Sequence, residues 1–218
     1  MSLRVLAIDT TGEHGSLALL EGERIIEETA LHSPEGFGHI LFSGIQDLLK
    51  RHAWSIEDLD GFASASGPGS FTGVRVGLTA VKGLAEATGR RVVAVSNLQA
   101  MAWFGTRPLR APLIDARRGE IYGAVYDATL ELVRDEVVVK LPVWLRTLPP
   151  GDLELITSGV LVPPETAIPI LQAPPILAGA IGAIAVRRFA KSESMDPSEI
   201  DANYVRRSDA ELLWKDPV

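Results

Sequence analysis

Two stretches of this 218-residue chain present the same residue types in the same order. From Leu6 the chain reads LAIDTTGEHGSLAL, and from Pro112 it reads PLIDARRGEIYGAVY. Each is an apolar strand, an aspartate, a turn containing Gly-Glu, and an alternating strand. Asp9 and Asp115 stand almost half a chain length apart. Either two unrelated hairpins coincide, or a βββαβα unit is duplicated. The second reading implies two lobes of similar build, each a mixed sheet with helices.

The surrounding sequence supplies the elements such a unit needs. Residues 4–10, 16–20 and 24–29 form a β-meander. Over 38–52 the period changes: Leu41, Ile45, Leu48 and Leu49 fall at helical spacing, while Gln46, Asp47, Lys50 and Arg51 face elsewhere. Small residues make a strand over 61–66. A helix follows from Thr72, a plausible N-cap, to Thr88, with Gly89 as its stop. Residues 91–96 are a buried strand and 97–104 a helix. Pro108 and Pro112 mark the boundary, which gives lobes 1–106 and 107–218. The second lobe offers strands at 111–115, 121–126, 133–141 and 153–158. A proline-rich irregular stretch occupies 163–175. A helix over 175–190 has Ile176, Ala180, Ala183 and Ile184 on one face, and the polar tail from Ser192 ends loosely.

Several chemistries are excluded. With no cysteine there is no disulfide scaffold, thiolate zinc site or cysteine nucleophile. The net charge of −7 is shared by both halves, which argues against autonomous nucleic-acid binding through phosphate neutralisation. The N-terminus lacks the order of a signal peptide. The longest uncharged apolar stretch, Ala173 to Val186, contains Pro174 and Pro175 and is too short to span a bilayer. A soluble, cytoplasmic protein with no membrane contact is expected.

The turn Gly67-Pro68-Gly69-Ser70-Phe71-Thr72-Gly73 stands before a helix, where free N–H groups favour an anion. A phosphate loop and a tight strand-to-helix turn both fit it. It matches none of the P-loop, dinucleotide or serine-elbow patterns. The following helix carries Gly73, Gly77, Ala80 and Gly83 along one side. An internal helix glycine costs about 1 kcal/mol against alanine. Close approach of a second helix is the expected reason, either the chain's own over 38–52 or a partner's. Arg75, Thr79, Lys82 and Glu86 lie on the more polar side. Asp9, Thr10 and Thr11 form a turn that either holds a phosphate or bonds its own backbone. His14, His32, His39 and His52 show no metal-ligand spacing, so no metal site is expected. The Arg-Arg pairs at 90/91, 117/118, 187/188 and 206/207 are expected as solvated surface rather than RNA contacts.

These motifs together resemble the TsaB (YeaZ) family. The residues that carry the resemblance are VLAIDTT from Val5, GPGSFTGVRVG from Gly67, KGLA from Lys82, VVAVSNL from Val92 and IDARRGEIY from Ile114. They run in order and cover residues 4 to about 126 densely. Near the end, NYVRRSDAE is similar to the family's P-x-Y-x-R tail, with Ala202 in place of proline.

The resemblance implies an α/β, two-lobed ASKHA fold, the architecture of actin and Hsp70-type ATPases. It also implies work beside the threonylcarbamoyltransferase TsaD and the ATPase TsaE in making threonylcarbamoyladenosine on tRNA. The family member is the non-catalytic scaffold. Two helices of its first lobe pack on the matching helices of TsaD as a four-helix bundle, or on a second copy in a homodimer. The tRNA is contacted only within the complex. Carried onto this chain, the interface is Ile40, Leu41, Ile45 and Leu48 on the first helix, with Gly73, Arg75, Val76, Gly77, Thr79, Ala80, Lys82 and Gly83 on the second. The turn from Gly67 to Thr72 is the place for any interfacial nucleotide.

The phosphate-binding elements of the fold depart from what ATP hydrolysis needs. Asp9-Thr10-Thr11 stands isolated, two arginines fill the turn after Asp115, and the candidate adenosine segment Ala178–Gly182 is a poor match. No ATPase, cofactor or catalytic residue is expected. A glycoprotease-like peptidase and an ASKHA small-molecule kinase are the alternatives.

Overall fold

A computed structural model of the chain describes residues 2–160, 162–163 and 166–205. It opens with β1 (Arg4–Asp9), β2 (Gly15–Glu21) and β3 (Arg24–Leu31), an antiparallel meander. Helix α1 (Leu41–Arg51) leads to β4 (Gly61–Ala65), α2 (Phe71–Thr88), β5 (Arg91–Val95) and α3 (Asn97–Ala102). The sheet order is β3-β2-β1-β4-β5, with β4 parallel to both β1 and β5. Strand β1 is buried from Val5 to Asp9, as its unbroken apolar run requires of a central strand covered on both faces.

The second lobe repeats the strand path, with no counterpart of α2 among its described residues. It contains β6 (Leu109–Arg117), β7 (Glu120–Asp127), β8 (Leu132–Lys140), α4 (Leu141–Thr147), β9 (Leu153–Thr157), β10 (Ile170–Gln172) and α5 (Ala178–Ala190). Its sheet order, β10-β9-β6-β7-β8, is the first order with each strand replaced by its successor five places on, written from the other edge. Antiparallel and parallel pairings match one for one. The two aspartate turns are therefore equivalent parts of a duplicated unit, and not a coincidence of hairpins.

Each lobe's last helix packs on the other lobe's sheet. Helix α3 lies against β6, β7 and β9, and α5 lies against β1, β2, β4 and β5. One apolar core accordingly draws on both lobes. This position explains why α5 is buried on all sides from Ala178 to Val186, rather than on the single face its sequence suggested. A Cβ on Gly182 would sit 2.1 Å from Leu20, so the helix rests almost directly on β2.

Four local expectations need correction. Ser70, not Thr72, caps α2, its hydroxyl accepting from Gly73 N–H at 3.3 Å. Gly89 does end that helix in the left-handed region, at φ 64°. Helix α4 was not foreseen; Pro142 opens it, and Trp144 is buried against Gly123. Strand β10 arises inside the stretch expected to be irregular, where a short sheet edge tolerates flanking prolines. The tail does not end loosely within the described residues: Met195 bridges Val92, and Ile200 is only 1% exposed in the first lobe's core. Residues 206–218, including the last Arg-Arg pair, lie outside the described residues.

Candidate functional site: the outer helices of the first lobe

The aspartate turn and the glycine-rich turn meet in the interior. Asp9 accepts from the Thr11 backbone N–H at 2.9 Å and the Thr11 hydroxyl at 2.6 Å. Asn97 reaches Thr11 Oγ1 at 2.6 Å and accepts from Gly67 N–H at 3.0 Å. The Thr10 hydroxyl donates to Gly73 C=O at 2.7 Å, and Ser70 N–H donates to Thr11 C=O at 2.8 Å. Burial pushes the Asp9 carboxyl above the ordinary carboxylate range, against the pull of these hydrogen bonds.

This meeting explains the glycines. A Cβ on Gly73 would lie 1.9 Å from the Thr10 carbonyl oxygen. One on Gly77 would lie 2.8 Å from both Thr10 Oγ1 and Ser64 Oγ, and one on Gly69 2.8 Å from the Thr11 carbonyl. The close neighbour is thus the chain's own Asp9–Thr11 turn and β4, not a helix. Gly73 and Gly77 are buried, and Gly73 borders a hollow of about 570 Å³ with Thr10, Gly12, Ser70, Thr72 and Val76. Gly83, by contrast, is exposed, with open space around it.

The second aspartate turn has the same local bond, Arg117 N–H to Asp115 Oδ1 at 2.8 Å, but it lies on the surface. Arg117, Arg118 and Gly119 all take positive φ there. At the start of α5 the backbone N–H groups of Ala178 and Gly179 donate to Ser16 Oγ at 3.0 Å and Glu28 Oε1 at 2.8 Å. Desolvation, with the Asp9 charge adding to it, raises the Glu28 carboxyl. An anion arriving at this helix start would have to displace the Glu28 carboxylate from Gly179 N–H. Among the described residues no cluster of three or more His, Cys, Asp or Glu could hold a metal ion. No helix among them is long and apolar enough to cross a membrane. The arginine pairs make internal contacts as well as facing solvent: Arg188 donates to Ala94 C=O and Gln99, and Arg187 pairs with Glu23 over the Trp103 ring.

The outer face of the first lobe is different in character. Between α1 and α2 runs a groove of about 450 Å³, with Gly38, Leu41 and Phe42 on one wall and Phe71, Arg75, Val76 and Ala80 on the other. A second hollow of about 560 Å³ continues past Phe42 toward Ile45, Leu49, Trp54 and Leu84. Phe42 stands between them, 57% exposed, and Phe71 is 49% exposed. Of the interface residues expected from sequence, Leu41, Ile45 and Ala80 floor these hollows, while Arg75, Val76 and Thr79 reach the rim. Ile40 and Lys82 are half-buried, and Leu48 lies wholly inside. Phe42 and Trp54 were missed. Phe42 borders the buried 41/45/48/49 stripe, so helical spacing alone does not tell that it faces outward.

Comparison with known proteins places this geometry. The family model described as TsaD, tRNA N6-adenosine threonylcarbamoyltransferase, matches residues 35–167. The Bacillus subtilis tRNA threonylcarbamoyladenosine biosynthesis protein TsaB is 33% identical over 162 residues, 72% of this chain and 71% of that protein. The Escherichia coli protein of the same name is 40% identical over 130 residues, which span 57% of this chain and 55% of its own length. The solved structure of YeaZ from Pseudomonas aeruginosa superposes with a TM-score of 0.78 at 27% identity, covering 93% of this chain and 99% of that one. Component A of the Acidaminococcus fermentans (R)-2-hydroxyglutaryl-CoA dehydratase shares the fold, with a TM-score of 0.53 at 8% identity over 87% of this chain.

The duplicated mixed sheets with their helices are those of a two-lobed ASKHA fold. Within that class the chain belongs to the TsaB (YeaZ) family.

Proposed function

We propose that this protein is a non-catalytic subunit in the biosynthesis of tRNA threonylcarbamoyladenosine. It docks a TsaD-type threonylcarbamoyltransferase through the α1–α2 face, works alongside TsaE in the cytoplasm, and meets tRNA only within that assembly. The single observation that carries this is the solvent-facing apolar groove around Phe42 and Phe71. A contiguous apolar patch of this kind marks a binding surface on a soluble protein. An amphipathic helix pair laid into it would complete a four-helix bundle. Self-association through the same face gives a homodimer. We take the lobes to divide between residues 106 and 107, the second one supporting the first. The names of the relatives support the pathway. The Glu28 carboxylate at the α5 start and the buried Asp9 support a subunit that binds without catalysing.

The test is Phe42→Asp. A charge at the centre of the groove should weaken binding to the TsaD protein of the same organism by at least about tenfold, since a lost apolar anchor is worth at least ~1.4 kcal/mol. The melting temperature should stay within a few degrees, because the side chain is already exposed. Undiminished binding, measured by calorimetry, would sink the α1–α2 assignment.

A further inference from the structure

The C-terminal tail of the described chain reaches the rim of this groove and fixes one of its charges there. The tail is pinned on its way. Met195 and Val92 exchange backbone hydrogen bonds at 2.8 and 3.1 Å, and Ile200 is buried in the first lobe. Asn203 N–H donates to Ser66 C=O at 2.8 Å, and its side-chain amide donates to Glu136 Oε2 at 2.5 Å. Glu136 belongs to β8 and also accepts from Tyr126 OH at 2.7 Å. The next residue, Tyr204, therefore stands where both lobes hold it.

There the Tyr204 hydroxyl oxygen accepts from Arg75 Nη2 at 3.1 Å and Nε at 3.3 Å. The Arg75 guanidinium lies 3.7 Å over the Phe71 ring, and the Phe71 and Tyr204 rings are 6.0 Å apart. A phenol is a neutral acceptor, so it orients the cation without cancelling its charge. Among the described residues no carboxylate pairs with Arg75. A surface arginine normally loses considerable rotamer freedom when it binds; one already held between a ring and a hydroxyl loses less. Arg75 also borders the apolar groove.

We propose that Tyr204 is a positioning residue for Arg75, and that the fixed guanidinium selects a partner helix with a carboxylate beside its apolar anchors. The occupant of the groove is then an amphipathic helix of the TsaD-type partner, acidic at the turn that meets α2's first turns. This rests on the docking reading above.

The experiment measures binding of the TsaD protein of the same organism to the full chain, to Arg75→Glu, Arg75→Gln, Tyr204→Phe, and to the Arg75→Gln/Tyr204→Phe pair. Arg75→Glu should weaken binding by more than about tenfold and Arg75→Gln by less, as expected for a charge pair. Tyr204→Phe keeps the ring and should weaken binding about three- to tenfold in the parent but not in the Arg75→Gln background, the non-additivity expected of coupled residues. The affinity of the parent should fall with added salt, and that fall should flatten in Arg75→Gln. Equal effects of Tyr204→Phe in both backgrounds would overturn the positioning role. Parent-like binding by Arg75→Glu would overturn the inference and leave the docking reading standing, and so would effects confined to self-association. Absence of binding by the parent chain would instead remove the docking reading itself.

Discussion

The two lobes share a strand order but not a helix layer. Between β4 and β5 the first lobe places α2, 18 residues long; between β9 and β10 the second lobe has, among its described residues, only an irregular proline-containing connection. The helix after the first meander is α1, of 11 residues, in one lobe and α4, of 7, in the other. The aspartate turns diverge in the same sense. Asp9 is buried beneath α2, while Asp115 is on the surface. The sheet thus survives the loss of a covering helix, because loops and α4 protect its core, but the outward groove exists only where both helices are present. The duplicated framework gives both halves a covered sheet and one of them an outward apolar groove.

The largest expected effect that tests this contrast is Gly73→Val. With the Thr10 carbonyl 1.9 Å from the position of a Cβ, α2 cannot stay seated. Overpacking of this severity lies at or beyond the upper end of the usual range, about 3 kcal/mol. Urea denaturation should show it, and a near-native midpoint would mean that α2 does not rest on the aspartate turn as described.

A smaller difference is expected between Asp9→Ala and Asp115→Ala. The first leaves the buried Thr11 N–H and hydroxyl without their acceptor and should cost about 1–3 kcal/mol. The second removes an exposed group and should change stability by no more than about 0.5 kcal/mol. Equal costs would show that the two turns remain equivalent in energy as well as in topology.

The smallest effect concerns pH. Asp9 and Glu28 both hold their protons more tightly in the folded state than in the unfolded chain. Their contribution to stability is therefore full below the ordinary carboxylate range and is lost as pH rises through their raised values. The pair Asp9→Asn with Glu28→Gln keeps the shapes and removes this loss. Its melting temperature relative to the parent should climb as pH rises from the ordinary carboxylate range through the interval above it. A difference that stays level across that interval would refute the assignment.

Much of this architecture was legible in the residues. The apolar run ending at Asp9, the Gly89 stop and the stripe Leu41-Ile45-Leu48-Leu49 each report a local preference strong enough to survive folding. The orientation of Gly73 and Gly77 was not legible. A glycine in a helix signals a close neighbour without saying which, and the neighbour here, Thr10, is more than sixty positions away. Strand β10 depends on pairing with β9 rather than on its own composition. Tyr204 gained its meaning from Arg75, 129 positions earlier, through contacts that only the folded tail creates. Of the groove between α1 and α2, sequence located the helices and several rim residues; the central aromatic and the tail are placed only by the fold.

The crossing of α3 and α5 has a mechanical outcome. Cutting the chain at the lobe boundary would take from each half the helix that keeps its sheet dry, so neither piece should persist alone. Two plates clasped in this way resist swinging apart, unlike a hinged jaw. A partner resting on the outer helices would meet a stiff bracket whose shape is set before contact.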